Sequence, residues 1–108
     1  MTQSTMSAQQ LLTSLPERLI AANTQAVQAI IGVSLLDGGD WQITIGNGVC
    51  SVTAEKPSAP TATMTATSDD FVRVMLGTLS PHLAIVTGKL KISGNTQTLI
   101  SMERWFSL

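Results

Sequence analysis

Reactive and metal-binding side chains are scarce in this sequence. Its 108 residues include one cysteine, one histidine and no tyrosine, and only 12% of them are charged. A single cysteine cannot form a disulfide within the chain, and one histidine with one cysteine supplies no zinc-ligand set of recognised spacing. We therefore predict no metal and no cofactor, and we expect a reducing, cytoplasmic location.

Clusters of like charge and long apolar runs are lacking as well. The formal net charge is -1, and there is no basic cluster that would attract nucleic acid or an anionic membrane. Although 44% of the residues are hydrophobic, no uninterrupted run approaches the ~18 apolar residues that span a bilayer. The opening residues, MTQSTMSAQQ, also lack the basic and apolar segments of a secretory signal. The sequence thus predicts a soluble chain without a nucleic-acid partner.

The candidate catalytic residues lack chemical partners. His82 has no nucleophile signature beside it, so a surface or helix-cap role is the simpler interpretation. Cys50 alternates onto the apolar face of a predicted strand, where a thiol behaves as a small hydrophobe; a reactive thiol is the alternative. Asp37 and Asp40 lie in a glycine-rich segment and are interpreted as turn formers. We predict that the chain is not an enzyme, with a small hydrolase or isomerase as the weaker alternative.

Five segments alternate between apolar and polar residues, as β-strands do. They lie at 27–35, 41–46, 49–54, 61–67 and 89–93. Each segment has one apolar and one polar side, so all the helices must cover the same face of the sheet.

Two turn signals fix how the first three strands pair. Asn47-Gly48 predicts a type I′ hairpin that places Gly46 opposite Val49. The preceding turn, at 37–40, needs a loop of about three or five residues with a glycine bulge for the apolar faces to coincide.

Helix signals flank the strands. A short helix at 8–14 is predicted to be interrupted by Pro16, and Ser68, Ser80 and Asn95 are predicted N-caps of three later helices. The apolar face of the last helix would consist of Leu99, Met102 and Phe106.

These elements predict an α+β, two-layer fold. Residues 1–7 are expected to be disordered or frayed, and residues 8–108 to form a single domain. The expected inner layer of the sheet consists of Val27, Ala29, Ile31, Val33, Leu35, Trp41, Ile43, Ile45, Cys50, Val52, Ala54, Ala62, Met64, Ala66, Leu90 and Ile92.

The stretch from Gly77 to Gly94, GTLSPHLAIVTGKLKISG, resembles the signature of the sterol carrier protein 2 (SCP2) family. That signature runs from a glycine through Leu-x-Pro and an alanine to Gly-Lys-Leu-Lys-Ile-x-Gly. The segments at 15–18 and 68–71 also fall in the order that the family shows. The resemblance implies a five-stranded, mostly antiparallel sheet with one crossover, helices packed on one face, and an apolar tunnel between the two layers.

The resemblance implies non-catalytic binding and transfer of lipids, with fatty-acyl, acyl-CoA, sterol or isoprenoid chains as ligands. An accessory scaffold, or a lipid-presenting subunit of a lipid or quinone biosynthesis assembly, is the alternative. A transient membrane or enzyme partner and a homodimer are both compatible with the sequence. The predicted ligand-binding residues are Ile31, Val33, Met64, Phe71, Met75, Leu83, Ile85, Val86, Leu90, Leu99, Met102 and Phe106.

Overall fold

The structure is a computed structural model and describes residues 7–107. Within these residues, two helices precede four consecutive strands, two further helices precede a fifth strand, and a 3₁₀ turn follows the last helix. None of the helices in this range is long and apolar enough to cross a membrane. In chain order the elements are α1 (Ala8–Arg18), α2 (Ala21–Thr24), β1 (Gln28–Leu35), β2 (Gly39–Gly46), β3 (Val49–Thr53), β4 (Ala62–Ala66), α3 (Ser68–Met75), α4 (Pro81–Val86), β5 (Lys91–Gly94), α5 (Thr96–Ser101) and the 3₁₀ turn (Met102–Arg104).

The strands form one five-stranded sheet in the order β3-β2-β1-β4-β5. Neighbouring strands are antiparallel except for β1 and β4, which run parallel. The connection from β3 to β4 is the crossover, because it passes two strands before the chain rejoins the sheet. This arrangement confirms the predicted α+β fold with a mostly antiparallel sheet.

Both predicted hairpins form. Asn47 and Gly48 have φ of 52° and 77°, as a type I′ turn requires, and β2 pairs with β3 across them in the predicted register. In the first hairpin Leu35 pairs with Gly39, which leaves 36–38 as the loop, and Gly39 has φ of 79°. The shorter of the two predicted loops is therefore the one that aligns the apolar faces.

The first helix is longer than the sequence predicts. Ser7 caps it with a reciprocal pair of hydrogen bonds to Gln10, at 3.1 and 2.9 Å. The predicted interruption at Pro16 is wrong, because the buried apolar face of α1 holds the helix against the core through Arg18. Its buried leucines are Leu11, Leu12 and Leu15. Of the segment predicted to be frayed, residues 1–6 lie outside the described range.

Helix α3 has a different N-cap from the one predicted. The Thr67 hydroxyl accepts a hydrogen bond from the backbone N–H of Asp70 at 3.2 Å, so Thr67 is the cap. Ser68 instead donates its backbone N–H and its hydroxyl to Oδ1 of Asp37, at 2.7 and 2.8 Å. The loop between β1 and β2 is thereby fixed to the start of α3.

A glycine follows each of the helices α3 and α4. Gly77 and Gly88 have φ of 82° and 77° and follow the ends of α3 and α4, as predicted. The two backbone N–H groups after Gly88 donate to the carbonyl of Ala84, at 2.8 and 3.1 Å. Because these groups are used in that way, β5 begins at Lys91, later than the alternation predicts.

The predicted final helix stops early. Asn95 caps α5 as predicted, but α5 gives way to the 3₁₀ turn. Phe106 then forms an isolated β-bridge with Leu19, so it does not share a helix face with Leu99 and Met102. The prediction of one continuous apolar helix face is wrong at this residue.

The core lies between the helices and the inner face of the sheet. Every residue of the predicted inner layer is buried or packs against the core, except Ala54, which is exposed. On the outer face the crossover connection passes over β1. A Cβ on Gly32 would lie 3.2 Å from the Pro57 ring and 3.0 Å from the Thr63 hydroxyl. A side chain at position 32 would therefore crowd the Pro57 ring and the Thr63 hydroxyl where the connection approaches the sheet.

Candidate functional site

An apolar cavity lies between the β4–β5 end of the sheet and helices α3, α4 and α5. Its volume is ≈ 420 Å³, within the range of about 300–1,000 Å³ that is typical of small-molecule sites. Its lining residues are Met64, Val74, Met75, Ser80, Pro81, His82, Ile85, Leu90, Ile92, Thr96, Leu99, Ile100 and Met102.

The sheet supplies the floor of the cavity. Met64 of β4 and Ile92 of β5 are register partners, so their side chains lie side by side on the inner face. Leu90, just before β5, adds a third apolar side chain and is only 2% exposed. The sheet therefore presents an entirely aliphatic and thioether surface to the cavity.

The helices supply the walls. Val74 and Met75 come from the end of α3, Leu99 from α5 and Met102 from the 3₁₀ turn. Val74, Leu99 and Met102 are buried, whereas Met75 is half-buried. Methionine is unbranched and flexible, so Met64, Met75 and Met102 can adapt to ligands of different shape.

The solvent side of the cavity is formed by α4 and the start of α5. Ser80 caps α4, with its hydroxyl 3.5 Å from the backbone N–H of Leu83, and His82 lies in the first turn. His82 and Thr96 are both exposed, and both line the cavity. The polar side chains of the lining therefore lie at its mouth.

Helix α4 is attached to the core mainly by one residue. Ala84 is fully buried, whereas Leu83, Ile85 and Val86 are 52%, 43% and 69% exposed. Because Ile85 also lines the cavity, the exposed apolar surface of α4 is continuous with the cavity wall.

Several of the predicted ligand-binding residues meet in this cavity. They are Met64, Met75, Ile85, Leu90, Leu99 and Met102. These residues come from separate strands and helices, and the fold brings them together around one space.

The other predicted ligand-binding residues lie elsewhere. They are Ile31, Val33, Phe71, Leu83, Val86 and Phe106. The first three fill the closely packed core, the two residues of α4 project towards solvent, and the last packs at the bridge with Leu19. Alternation identifies inward-facing residues, but it does not say which of them border an unfilled space.

The structure also adds lining residues that the sequence analysis did not select. They are Val74, Ser80, Pro81, His82, Ile92, Thr96 and Ile100. Val74 and Ile92 had a signal, because the first lies on the predicted apolar stripe of α3 and the second alternates with Leu90. His82 and Thr96 had none, because polar residues at helix starts are usually explained by capping.

Titratable side chains are sparse around the cavity. Within its described lining, His82 is the titratable residue. Cys50 lies in β3 at the opposite edge of the sheet, and burial raises its pKa to about 11, so the thiol stays protonated near neutral pH. No group of three or more His, Cys, Asp or Glu residues in the described part of the chain could hold a metal ion. This arrangement is suited to burying an apolar ligand.

Comparison with known proteins identifies related domains. Residues 8–107 match the SCP-2 sterol transfer family. The chain is 37% identical over 92 residues to hydroxysteroid dehydrogenase-like protein 2 of Pongo abelii, a match that covers 84% of this chain and 22% of that protein. The chain thus spans about a fifth of the length of this relative.

Solved structures share the fold. The sec-alkylsulfatase Pisa1 from Pseudomonas sp. superimposes with a TM-score of 0.88 at 17% identity, covering 95% of this chain and 17% of that one. Palmitated SCP2L2 from Aedes aegypti superimposes with a TM-score of 0.65 at 17% identity, covering 92% and 93% of the two chains. The match over residues 8–107 shows that the chain belongs to the SCP-2 sterol transfer family.

Proposed function

We propose that this chain binds a long apolar lipid in the cavity beside β4 and β5, and transfers it without covalent chemistry. The observation that supports this most strongly is the cavity itself, ≈ 420 Å³ of space with an apolar floor and apolar walls. An apolar chain that enters this cavity would leave water and contact the apolar floor and walls, which is favourable.

The affinity would come from burying methylene groups. Each contributes about 0.8 kcal/mol, so eight would contribute about 6 kcal/mol before the entropic cost of association is subtracted. Because the lining has flexible methionines, fatty-acyl, acyl-CoA, sterol and isoprenoid chains are all candidate ligands.

Two further observations support a lipid. SCP2 domains bind lipid ligands, and the structural neighbour from Aedes aegypti was solved in palmitated form. The described cavity lining contains one histidine and no cysteine, aspartate or glutamate. We therefore propose binding rather than catalysis, and a cytoplasmic location in which a lone buried thiol stays reduced.

A second role, as a lipid-presenting subunit, is favoured by the exposed apolar surface of α4. Leu83, Ile85 and Val86 lie beside the cavity and are accessible to an enzyme, a membrane or a second copy of this chain. In the relative from Pongo abelii the matched region is 22% of a larger protein. In this role the lipid would be offered from the same cavity to the bound partner.

Native mass spectrometry of protein purified without detergent tests the carrier role, followed by titration with a fluorescent fatty-acid analogue. We expect a copurifying lipid, and saturable binding that unlabelled dodecanoate displaces. A folded sample with neither a copurifying lipid nor saturable binding to acyl, acyl-CoA, sterol or isoprenoid probes would contradict the carrier role.

A further inference from the structure

Strand β3 forms one edge of the sheet, and its outer side is unpaired. In the order β3-β2-β1-β4-β5 its neighbour is β2. The two-residue turn after β2 makes Gly46 and Val49 a hydrogen-bonded pair, and hydrogen-bonded and non-hydrogen-bonded pairs alternate along an antiparallel ladder. The backbone N–H and C=O groups of Cys50 and Val52 therefore point away from β2. Within residues 7–107, no backbone group of a loop or helix pairs with them.

The two edges of the sheet differ in how they oppose pairing with another strand. Proteins commonly protect an edge strand with a lysine, a proline or a bulge. At the opposite edge, β5 is four residues long, carries the exposed Lys91 and ends at Gly94, whose φ is 84°. Strand β3 has neither a charged residue nor a proline, and it pairs with β2 without a bulge. The edge at β3 is therefore open to a further strand.

The sequence of β3 is complementary to itself in one antiparallel register. A twofold axis at Ser51 pairs all five residues of the strand with those of a second copy. Cys50 then lies opposite Val52 on the inner face, and Val49 lies opposite Thr53 on the outer face. In this register the outward N–H and C=O groups of the two strands form hydrogen bonds across the axis.

The two neighbouring registers are less favourable. An axis at Cys50 would need the backbone N–H of Gly48, which already donates to the carbonyl of Thr24 at 3.2 Å. An axis at Val52 would place part of the strand opposite residues that lie beyond its end. The axis at Ser51 therefore uses the whole strand without breaking an existing hydrogen bond.

This pairing also covers apolar surface. Val49 is 65% exposed, and Val52 is half-buried at the border of the core. Side chains of the second strand would pack against both valines, because residues that lie opposite one another on paired strands are in contact. Neither β3 nor the turn before it has a charged residue, so no like charges would oppose each other.

We propose that the partner of this edge is a second copy of the chain, and that two β3 strands pair about Ser51 to join both sheets into one continuous sheet. The interface is isologous, because each copy contributes the same residues. A single strand edge buries less than the about 800 Å² per partner of a standard interface, so we expect a dimer that dissociates on dilution. The cavity lies at the β4–β5 end of each sheet, so both cavities remain accessible at the far ends of the dimer.

Sedimentation equilibrium of the full chain at increasing concentration tests this proposal. We expect the average mass of the parent protein to rise from that of a monomer towards that of a dimer. Ser51→Lys and Ser51→Asp should each remain monomeric, because like charges would face each other across the axis. An equimolar mixture of the two variants should form dimers again, because opposite charges then face each other. Ser93→Lys, at an exposed serine of the other edge strand, is the matched control and should dimerise like the parent protein.

A parent protein that stays monomeric at every concentration would overturn the proposal, as would dimers that persist in either Ser51 variant alone. A mixture of the two variants that remains monomeric would overturn the pairing about Ser51.

Amide hydrogen exchange of the parent protein provides a second test that does not depend on whether a variant folds. The backbone N–H groups of Cys50 and Val52 should exchange more slowly as the concentration rises, because they become bonded across the axis. The N–H of Ser51 points towards β2 in the monomer, so its exchange should not change with concentration. Exchange of Cys50 and Val52 that is independent of concentration would overturn the proposal.

Discussion

At the scale of single residues, a substitution of Met75 tests whether its side chain borders a cavity or fills a closely packed core. Its side chain lines the cavity and is half-buried, one turn after the fully packed Phe71. A tryptophan at this position would project into space that the ligand needs. In a close-packed interior the same increase in volume would cost about 1–3 kcal/mol of stability.

We therefore expect Met75→Trp to keep the melting temperature close to that of the parent protein. Its affinity for a fatty-acid probe should fall about tenfold, which corresponds to losing the burial of about two methylenes. Arg73→Trp, an exposed residue on the same helix, is the matched control and should leave both properties unchanged. A strongly destabilised Met75→Trp variant that still binds the probe would show that Met75 is ordinary core.

Asp37 gives the stability of the protein an acid-dependent component. Its carboxylate accepts hydrogen bonds from the backbone N–H and the hydroxyl of Ser68, and these bonds lower its pKa from the ordinary value of 3.8. A lowered pKa in the folded state stabilises the fold above pH 3.8, and this contribution is lost as the pH falls through the folded-state pKa.

We expect Asp37→Asn to be less stable than the parent protein at pH 7, with the difference shrinking below pH 3.8. Urea unfolding at pH 7 and at pH 3 measures this, with Asp40→Asn, another exposed carboxylate of the same hairpin, as the control. A stability difference for Asp37→Asn that stayed constant across this range would show that charge on Asp37 contributes nothing.

At the scale of elements, α1 shows how packing overrides a local rule. Pro16 has no N–H to donate within the helix and lies on the exposed side of α1, yet the helix continues to Arg18. Pro16→Ala would restore one backbone hydrogen bond, partly offset by the greater freedom of the unfolded chain.

We expect Pro16→Ala to raise the free energy of unfolding by about 1–3 kcal/mol. Thr13→Ala, also on the exposed side of α1, should change it by less than about 0.7 kcal/mol, which is the effect of helix propensity alone. A lower stability of Pro16→Ala in urea unfolding would mean that the shape of α1 depends on the proline ring.

The C-terminal segment belongs to the core of the described structure. Trp105 and Phe106 are 5% and 4% exposed. The carbonyl of Trp105 accepts from the backbone N–H of Ile20 at 2.7 Å, and the backbone N–H of Ser107 donates to the carbonyl of Arg18 at 2.8 Å. These two hydrogen bonds therefore attach the C-terminal segment to Arg18 at the end of α1 and to Ile20, which follows it.

We expect Trp105→Ala to lower the free energy of unfolding by about 3–5 kcal/mol, as large-to-small changes of buried aromatic residues do. Arg104→Ala, its exposed neighbour, should have little effect. If Trp105→Ala instead kept the parent stability and released bound ligand faster, the segment would be a lid over the cavity.

At the scale of the whole molecule, the sheet was predictable and the cavity only partly so. Asn47-Gly48 set the register of one hairpin, and strict alternation in the strands identified the buried face. These signals are local, because turn geometry and the two-residue period of a strand depend on neighbouring residues.

The features that the sequence did not predict depend on contacts between distant residues. Thr67 replaces Ser68 as the N-cap because Asp37, from another part of the chain, takes the Ser68 hydrogen bonds. Phe106 leaves the helical face because it pairs with Leu19. Whether an inward residue fills the core or borders the cavity is decided in the same way, by the side chains that surround it.

We expect the cavity between β4–β5 and the helices to hold the apolar chain of the ligand. Intermolecular NOEs between unlabelled dodecanoate and protein labelled at its methionine and isoleucine methyl groups test it most directly. We expect NOEs from the acyl chain to Met64, Met75 and Ile92, and none to Ile31 or Ile43, which are fully buried in the packed core. NOEs to Ile31 or Ile43, or a saturated complex without NOEs to the cavity methyl groups, would contradict it.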